Sequence, residues 1–141
     1  MYLFCDPTEE GKLSLALITP EGEIKKKIFK KLKKHISEEL LRLINRLVGK
    51  ALLKGIIVIN GPGRFTTLRV ALTTLNTIAW TLNILIIGIK VLKGHPVSAE
   101  ANIWRSLAKS IAGLGKKKTF SPVPPFYGQK PRITLPKTEK P

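Results

Sequence analysis

The run Gly55-Ile56-Ile57-Val58-Ile59 sets four β-branched residues in succession, without alternation, directly before Asn60-Gly61-Pro62-Gly63. So short a run, apolar at every position, is the pattern of a strand covered on both faces, which requires a sheet with material on either side. The four residues that follow end it, because Pro62 offers no backbone N–H and glycine favours a bend. Beyond the bend, Leu68, Val70, Ala71, Leu75, Ile78, Ala79 and Leu82 recur at helical spacing, and the other positions are mainly threonine rather than charged. A helix over about 67–82 is predicted, with a second buried strand over Ile84 to Ile89. Strand, helix and strand in that order call for a crossover between parallel strands, hence an α/β architecture.

The upstream residues supply the rest of a sheet. Residues 2–5 form an apolar run that ends at Asp6-Pro7, and Leu13 to Ile18 form another, bounded by Gly11 and by Thr19-Pro20-Glu21-Gly22. A third strand is predicted from about Glu23 past Ile24, Ile28 and Phe29, although seven lysines lie within residues 25–34. Those lysines are either a solvated edge strand, where charge discourages edge-to-edge pairing, or part of an RNA-facing patch. With Phe29 as the only aromatic residue in the run, base stacking is not indicated.

Ser37 reads as the cap of a helix over about 37–48, with Glu38 and Glu39 at the positive end of its dipole and Gly49 at its stop. Its apolar positions, Leu40, Leu41, Leu43, Ile44, Leu47 and Val48, cover more than one stripe, so two buried surfaces are predicted, one of them open to a partner. A third helix is predicted over Ala99 to Ala112, capped by Ser98 and followed by Gly113 and Gly115. From there the composition changes: Lys116-Lys117-Lys118 leads into a tail with six of the ten prolines. That tail is expected to be extended, either packed on the domain or free of it.

With 141 residues and 43% hydrophobic content, one compact domain is the default. The net charge of +16 predicts attraction to polyanions such as RNA or to an acidic protein face. A single cysteine, Cys5, excludes an intramolecular disulfide and fits a reducing cytoplasm. His35 and His95 stand sixty residues apart, so no metal site follows. His35 is expected at a helix start, His95 in a loop before proline and Cys5 in a buried strand. The first residues lack the charged start and apolar run of a secretory signal. Val70 to Ile89 is uncharged over twenty residues, a length that spans a bilayer, but its four threonines and two asparagines divide it into a helix and a strand.

Asn60-Gly61-Pro62-Gly63-Arg64-Phe65-Thr66-Thr67-Leu68-Arg69-Val70-Ala71 resembles the signature of the TsaB (YeaZ) family, GPGSFTGLRIG, with Arg64 and Thr67 departing from the usual Ser and Gly. Asp6 after the first strand and His35 before the first helix stand where that family has an Asp-Thr or Asp-Ser motif and a His. Residues 124–131 are similar to the Pro-x-Tyr-x-x-x-Pro ending of many members. The resemblance spans about residues 1–94 and 122–131. It implies a single actin-like (ASKHA, ribonuclease H-like) domain with a mixed five-stranded sheet at 1–94, a reduced helical remnant of the second domain at 95–115, and a basic, proline-rich tail at 116–141.

The same resemblance implies a non-catalytic, cytoplasmic scaffold for TsaD, the enzyme that transfers a threonylcarbamoyl group to an adenosine of tRNA. In the family, the first two helices of each protein form a four-helix bundle. The expected partner surface is therefore Leu40, Leu43, Ile44, Leu47, Leu68, Ala71 and Leu75. On that expectation Leu43→Asp or Ala71→Arg would abolish TsaD binding without unfolding the chain. A homodimer through the same helices, a TsaE-like ATPase and tRNA on the basic surface are the other partners considered, with no membrane. The alternative is a small basic RNA-binding module on the same fold.

Catalysis finds little support in the residues. From Leu40 to Ala99 there is no Asp or Glu, so the signature segment supplies no carboxylate base. Asp6, Gly61, Gly63 and Thr66 are the weak candidates for a phosphate or nucleotide site, since glycines before a helix can present N–H groups to an anion. Against that, there is no Walker lysine, and a tight turn with Thr66 or Thr67 capping the helix explains the same letters. Asp6 serves either such a site or the local turn, and Arg64 reaches an anion, a partner's carboxylate or solvent, the last being favoured. No cofactor is expected, and a small phosphotransferase is the third reading.

Overall fold

The structure is a computed structural model and describes residues 1–91, 109–114 and 119–128. Three strands, β1 (Tyr2–Asp6), β2 (Lys12–Ile18) and β3 (Ile24–Lys31), lead into helix α1 (Ile36–Val48), followed by β4 (Gly55–Gly61), α2 (Phe65–Thr81) and β5 (Leu85–Lys90). They form one mixed sheet in the order β3-β2-β1-β4-β5. The β1, β2 and β3 pairs are antiparallel, whereas β1 with β4 and β4 with β5 are parallel. The expected element order therefore holds, and β3 is an edge strand as its lysines suggested.

Register sorts the side chains onto two faces. Phe4 lies opposite Ala16 on one side and Ile57 on the other, and Ile57 lies opposite Ile87, so these residues share a face. The alternate residues Leu3, Cys5, Ile56 and Val58 point to the opposite face, where they join α1 and α2 in the larger core. Leu114, with Ile111, covers the Phe4, Ile57 and Ile59 side from the helical residues 109–114. All seven residues of β4 are buried, as its unbroken apolar run requires. A fully buried Leu or Ile contributes about 1.5–3 kcal/mol. Most of the helix predicted over 99–112 lies outside the described residues.

The helix caps differ from the expected ones. The N-cap of α1 is His35, whose Nδ1 accepts from the Ser37 backbone N–H at 3.3 Å and lies 2.8 Å from the Ser37 hydroxyl. Ser37 therefore lies inside the first turn, and an imidazole in extended backbone does what a hydroxyl was expected to do. At α2 the N-cap is Arg64, without a side-chain hydrogen bond, and the helix begins at Phe65, so neither Thr66 nor Thr67 caps it. Gly49 ends α1 as expected, its N–H donating to the Asn45 carbonyl.

The expected partner surface is corrected by the packing. Leu40, Leu43, Ile44 and Leu47 of α1, with Leu68, Ala71 and Leu75 of α2, are each no more than 3% exposed within this chain. The apolar coverage of α1 was read as two buried surfaces, and both lie within the molecule, one meeting β2 and β3 and the other α2, whereas Leu41, counted in that coverage, is 49% exposed. Glu39, expected only to complement the helix dipole, is buried as well. Its Oε1 lies 3.4 Å from Lys30 of β3 and 3.6 Å from Arg42, tying α1 to the sheet edge.

Within the tail, the described residues 119–128 pack on the domain. The Asn76 side chain donates to the Val123 carbonyl at 3.0 Å and accepts from the Val123 N–H at 2.9 Å. Asn60 donates from Nδ2 to the Pro124 carbonyl, and its own carbonyl accepts from the Phe126 N–H, both at 2.8 Å. Gly88 makes room for this strap, because a Cβ there would lie 2.5 Å from Val123 Cγ1.

Two outcomes follow from this packing. Leu43→Asp puts a carboxylate among core leucines and is expected to lower stability by about 4 kcal/mol or more, visible as loss of the cooperative urea transition. Asn76→Ala leaves both backbone groups of Val123 without their partner. It is expected to cost about 2 kcal/mol and to make residues 119–128 the first site of limited proteolysis.

Candidate functional site

The parallel strands β1, β4 and β5 end on the same side of the sheet, so Asp6, the Gly61–Gly63 bend and Lys90 are gathered there. This is the place where open α/β sheets usually receive ligands. The structure thus brings together three of the four weak cofactor candidates, Asp6, Gly61 and Gly63, and puts Thr66 on the exposed first turn of α2.

Each of these residues has a local occupation. Asp6 Oδ1 accepts from the Thr8 N–H at 2.9 Å and from the Thr8 hydroxyl at 2.6 Å, a side-chain turn that ends β1. Gly61 has φ +139, and a Cβ built on it would lie 1.7 Å from the Phe126 carbonyl oxygen. The strap therefore fills the space beside the bend, and the glycine is needed for both its conformation and this approach. Beside Gly63, a Cβ would meet Thr8 Cα and Leu68 Cγ at 3.3 Å. The bend serves here as a tight, covered turn. Arg64 reaches Glu10 at 3.1 Å, with both side chains mostly exposed, a pairing worth about 0–1 kcal/mol.

Aromatic rings extend the strap onto α2. Phe65 stacks on Tyr127 with centroids 4.5 Å apart, and the Arg69 guanidinium lies 5.1 Å from the Phe65 ring centre. On the other side of the strap, Lys90 Nζ lies 4.6 Å from the Phe126 ring centre. Residues 124–128 of the proline-rich ending noted in the sequence thus belong to the loop region.

The outer face of α2 is the other candidate. Phe65, Thr66, Arg69, Val70, Thr73 and Thr74 line a shallow groove of about 390 Å³. Thr66, Arg69, Thr73, Thr77 and Trp80 are exposed at spacings of three and four, which makes one stripe, with Trp80 70% exposed. The Thr74 hydroxyl donates to the Val70 carbonyl at 2.8 Å and the Thr77 hydroxyl to the Thr73 carbonyl at 2.7 Å. With those two hydroxyls turned back onto the helix, their methyl groups face outward beside Arg69 and the Trp80 ring. The sequence marked these positions only as threonine in place of charge.

Among the described residues, no group of three His, Cys, Asp or Glu side chains could hold a metal, and no helix is long and apolar enough to cross a membrane. Cys5 is fully buried, and burial, with a smaller effect from Asp6, pushes its thiol far above its ordinary range.

A family model described as tRNA N6-adenosine threonylcarbamoyltransferase, TsaD, matches residues 28–106, more than half of the chain. The chain belongs to the TsaD family. Its fold is similar to that of YeaZ from Pseudomonas aeruginosa, with a TM-score of 0.56 and 22% identity over 63% of this chain and 43% of that one. A second Pseudomonas aeruginosa structure, titled as an uncharacterized protein similar to peptidase YEAZ, matches with the same score and identity over 63% of this chain and 42% of its own. The chain thus spans less than half the length of the solved structures it matches. No curated protein matches it. The YeaZ-like, actin-like fold read from the loop signature stands, and the family to which the chain belongs is one of tRNA modification.

The geometry gives two measurable outcomes. Gly61→Ala forces a methyl group into the Phe126 carbonyl, so the strap must leave. The expected loss is roughly 2 kcal/mol or more by denaturant titration, with a gain in Tyr127 accessibility. Cys5 is expected to resist Ellman's reagent in the folded protein and to react at once in denaturant. Above about pH 9, the reference value for this thiol, the unfolded chain releases the proton that the folded chain keeps. The native state then holds more protons, so this group's contribution to stability falls as pH rises.

Proposed function

We propose that this protein is a non-catalytic scaffold that pairs with a TsaD-like enzyme in threonylcarbamoyl-adenosine modification of tRNA, through the outer stripe of α2 rather than through the buried leucines. The observation that carries this reading is the state of the threonine hydroxyls: those of Thr74 and Thr77 already bond to helix carbonyls. A polar face normally resists burial because its groups lose water, at a cost of about 1–3 kcal/mol for each one left unpaired. Here a partner helix can cover the Thr77 hydroxyl of the stripe, and that of Thr74 beside it, without incurring that cost. Small side chains also permit close approach of the two helix axes, and Trp80 and Phe65 at the ends supply ring area of the kind that dominates interface energies.

Family membership supports the process, and the absence of any Asp or Glu between Leu40 and Ala99 supports the non-catalytic role. A TsaE-like ATPase and a second copy of this chain are further partners of the same proposal. A cytoplasmic location follows from the process proposed.

The test is capture of a TsaD-like enzyme by the tagged chain. Thr73→Arg, on an exposed position of α2, is expected to abolish capture while leaving the thermal midpoint within a few degrees of the original. Trp80→Ala is expected to weaken binding by about 2 kcal/mol, read by calorimetry. Unchanged affinity in both variants would refute the surface.

A further inference from the structure

The outer face of strand β3 combines charge and ring in a way the linear lysine run did not reveal. Antiparallel register puts Lys31 opposite Lys12, Phe29 opposite Ser14 and Lys27 opposite Ala16, so Lys27, Phe29 and Lys31 share one face with Lys12 of β2. Phe29 is 58% exposed, and Lys12 Nζ stands 5.9 Å from its ring centre. Lys12 also bridges Glu9, and Lys30, on the other face, is engaged with Glu39.

Two features of this arrangement are unfavourable for the isolated chain. Lys12 and Lys31 stand directly opposite one another on adjacent strands, where like charges are destabilising, and Glu9 offsets only the first of them. Leaving a phenyl ring in water forgoes its burial. Protecting a sheet edge accounts for the lysines but not for the ring, since an exposed apolar residue on an edge strand invites the pairing that the charges discourage. A ligand that is both anionic and aromatic relieves both costs. Single-stranded nucleic acid has that chemistry: phosphates neutralise the lysines, and a base stacks on a flat hydrophobic ring.

We infer that the Lys12–Lys27–Phe29–Lys31 face binds single-stranded RNA, with one base stacked on Phe29 and the lysines on neighbouring phosphates. The inference deepens the reading above by naming the surface that holds the RNA, and it rests on that reading for the choice of RNA over DNA. It reverses the expectation, drawn from the lysine run, that stacking has no part. An acidic protein segment would use the same lysines but gain nothing specific from the ring.

The experiment is fluorescence anisotropy of the full chain with a short, labelled oligouridylate across a salt series. The chain is expected to bind, and Phe29→Ala to weaken binding about tenfold or more while Phe29→Tyr retains it. Joint replacement of Lys12, Lys27 and Lys31 by glutamine is expected to make the slope of log affinity against log salt shallower by about 2, at roughly 0.7 per phosphate contact on a single strand. Polyglutamate is expected to compete poorly with the oligonucleotide. No binding by the parent chain, equal affinity of parent and Phe29→Ala, or polyglutamate competing as well as RNA would each overturn the inference, the last in favour of an acidic protein. The enzyme-capture assay on the same variants separates the two proposals. Loss of RNA binding with capture intact leaves the scaffold standing, and failure of capture with RNA binding intact leaves this surface standing.

Discussion

Strand β4 is the element on which the molecule depends, because its seven residues are buried from both sides. A strand with no wet face needs two separate layers to cover it. Helices α1 and α2 supply one, and the helical residues 109–114 supply part of the other through Leu114 and Ile111. Its last two residues, Asn60 and Gly61, extend that demand into the strap. Asn60 holds it by two hydrogen bonds, and Gly61 lets its backbone approach more closely than any side chain would permit. Sheet, helix layer, bend and strap are therefore one cooperative unit, in which a change at the bend is felt 65 residues later at Phe126.

The position of greatest chemical interest in such a fold is the place where the parallel strands end. In this chain that place is filled by its own residues: Asp6 turns onto Thr8, and the Phe126 carbonyl lies against Gly61. The surfaces proposed for other molecules lie on the outside, along the threonine stripe of α2 and on the lysine and phenylalanine face of β3. One surface turns the Thr77 hydroxyl back onto its own helix and is the one proposed for a protein helix. The other sets lysines around an exposed ring, the combination proposed above for a polyanion that carries bases. The two differ in electrostatics, and for that reason different partners are proposed for them.

Much of this was legible in the residues. The unbroken Gly55 to Ile59 run fixed a strand covered on both sides, the Gly61-Pro62-Gly63 bend and the spacing of Leu68, Ala71 and Leu75 gave the helix after it, and the order of elements implied a mixed sheet. The lysines of β3 announced an edge. Less legible was anything that depends on a third body. The pattern of α1 shows that it has two apolar sides, but a pattern contains no information about whether the second neighbour is α2 or another protein. Leu43 and Ala71 were misplaced for that reason. The cap of α1 was misplaced because His35 and Ser37 both carry suitable acceptors, and only backbone geometry chooses between them.

The sequence alone determined the local matters: where strands and helices run, which residues seek burial, where the chain must bend and what charge it bears. These follow from hydrophobic periodicity and from the restricted conformations of glycine and proline, both of which act over a few residues. Tertiary structure decided which apolar surface was left over, that the strap covers the bend, and that Phe29 shares a face with Lys12. Each of those depends on register and packing between segments far apart in the chain. The physical reason is that burial is a property of pairs of surfaces, and a sequence read along its length specifies only one member of each pair.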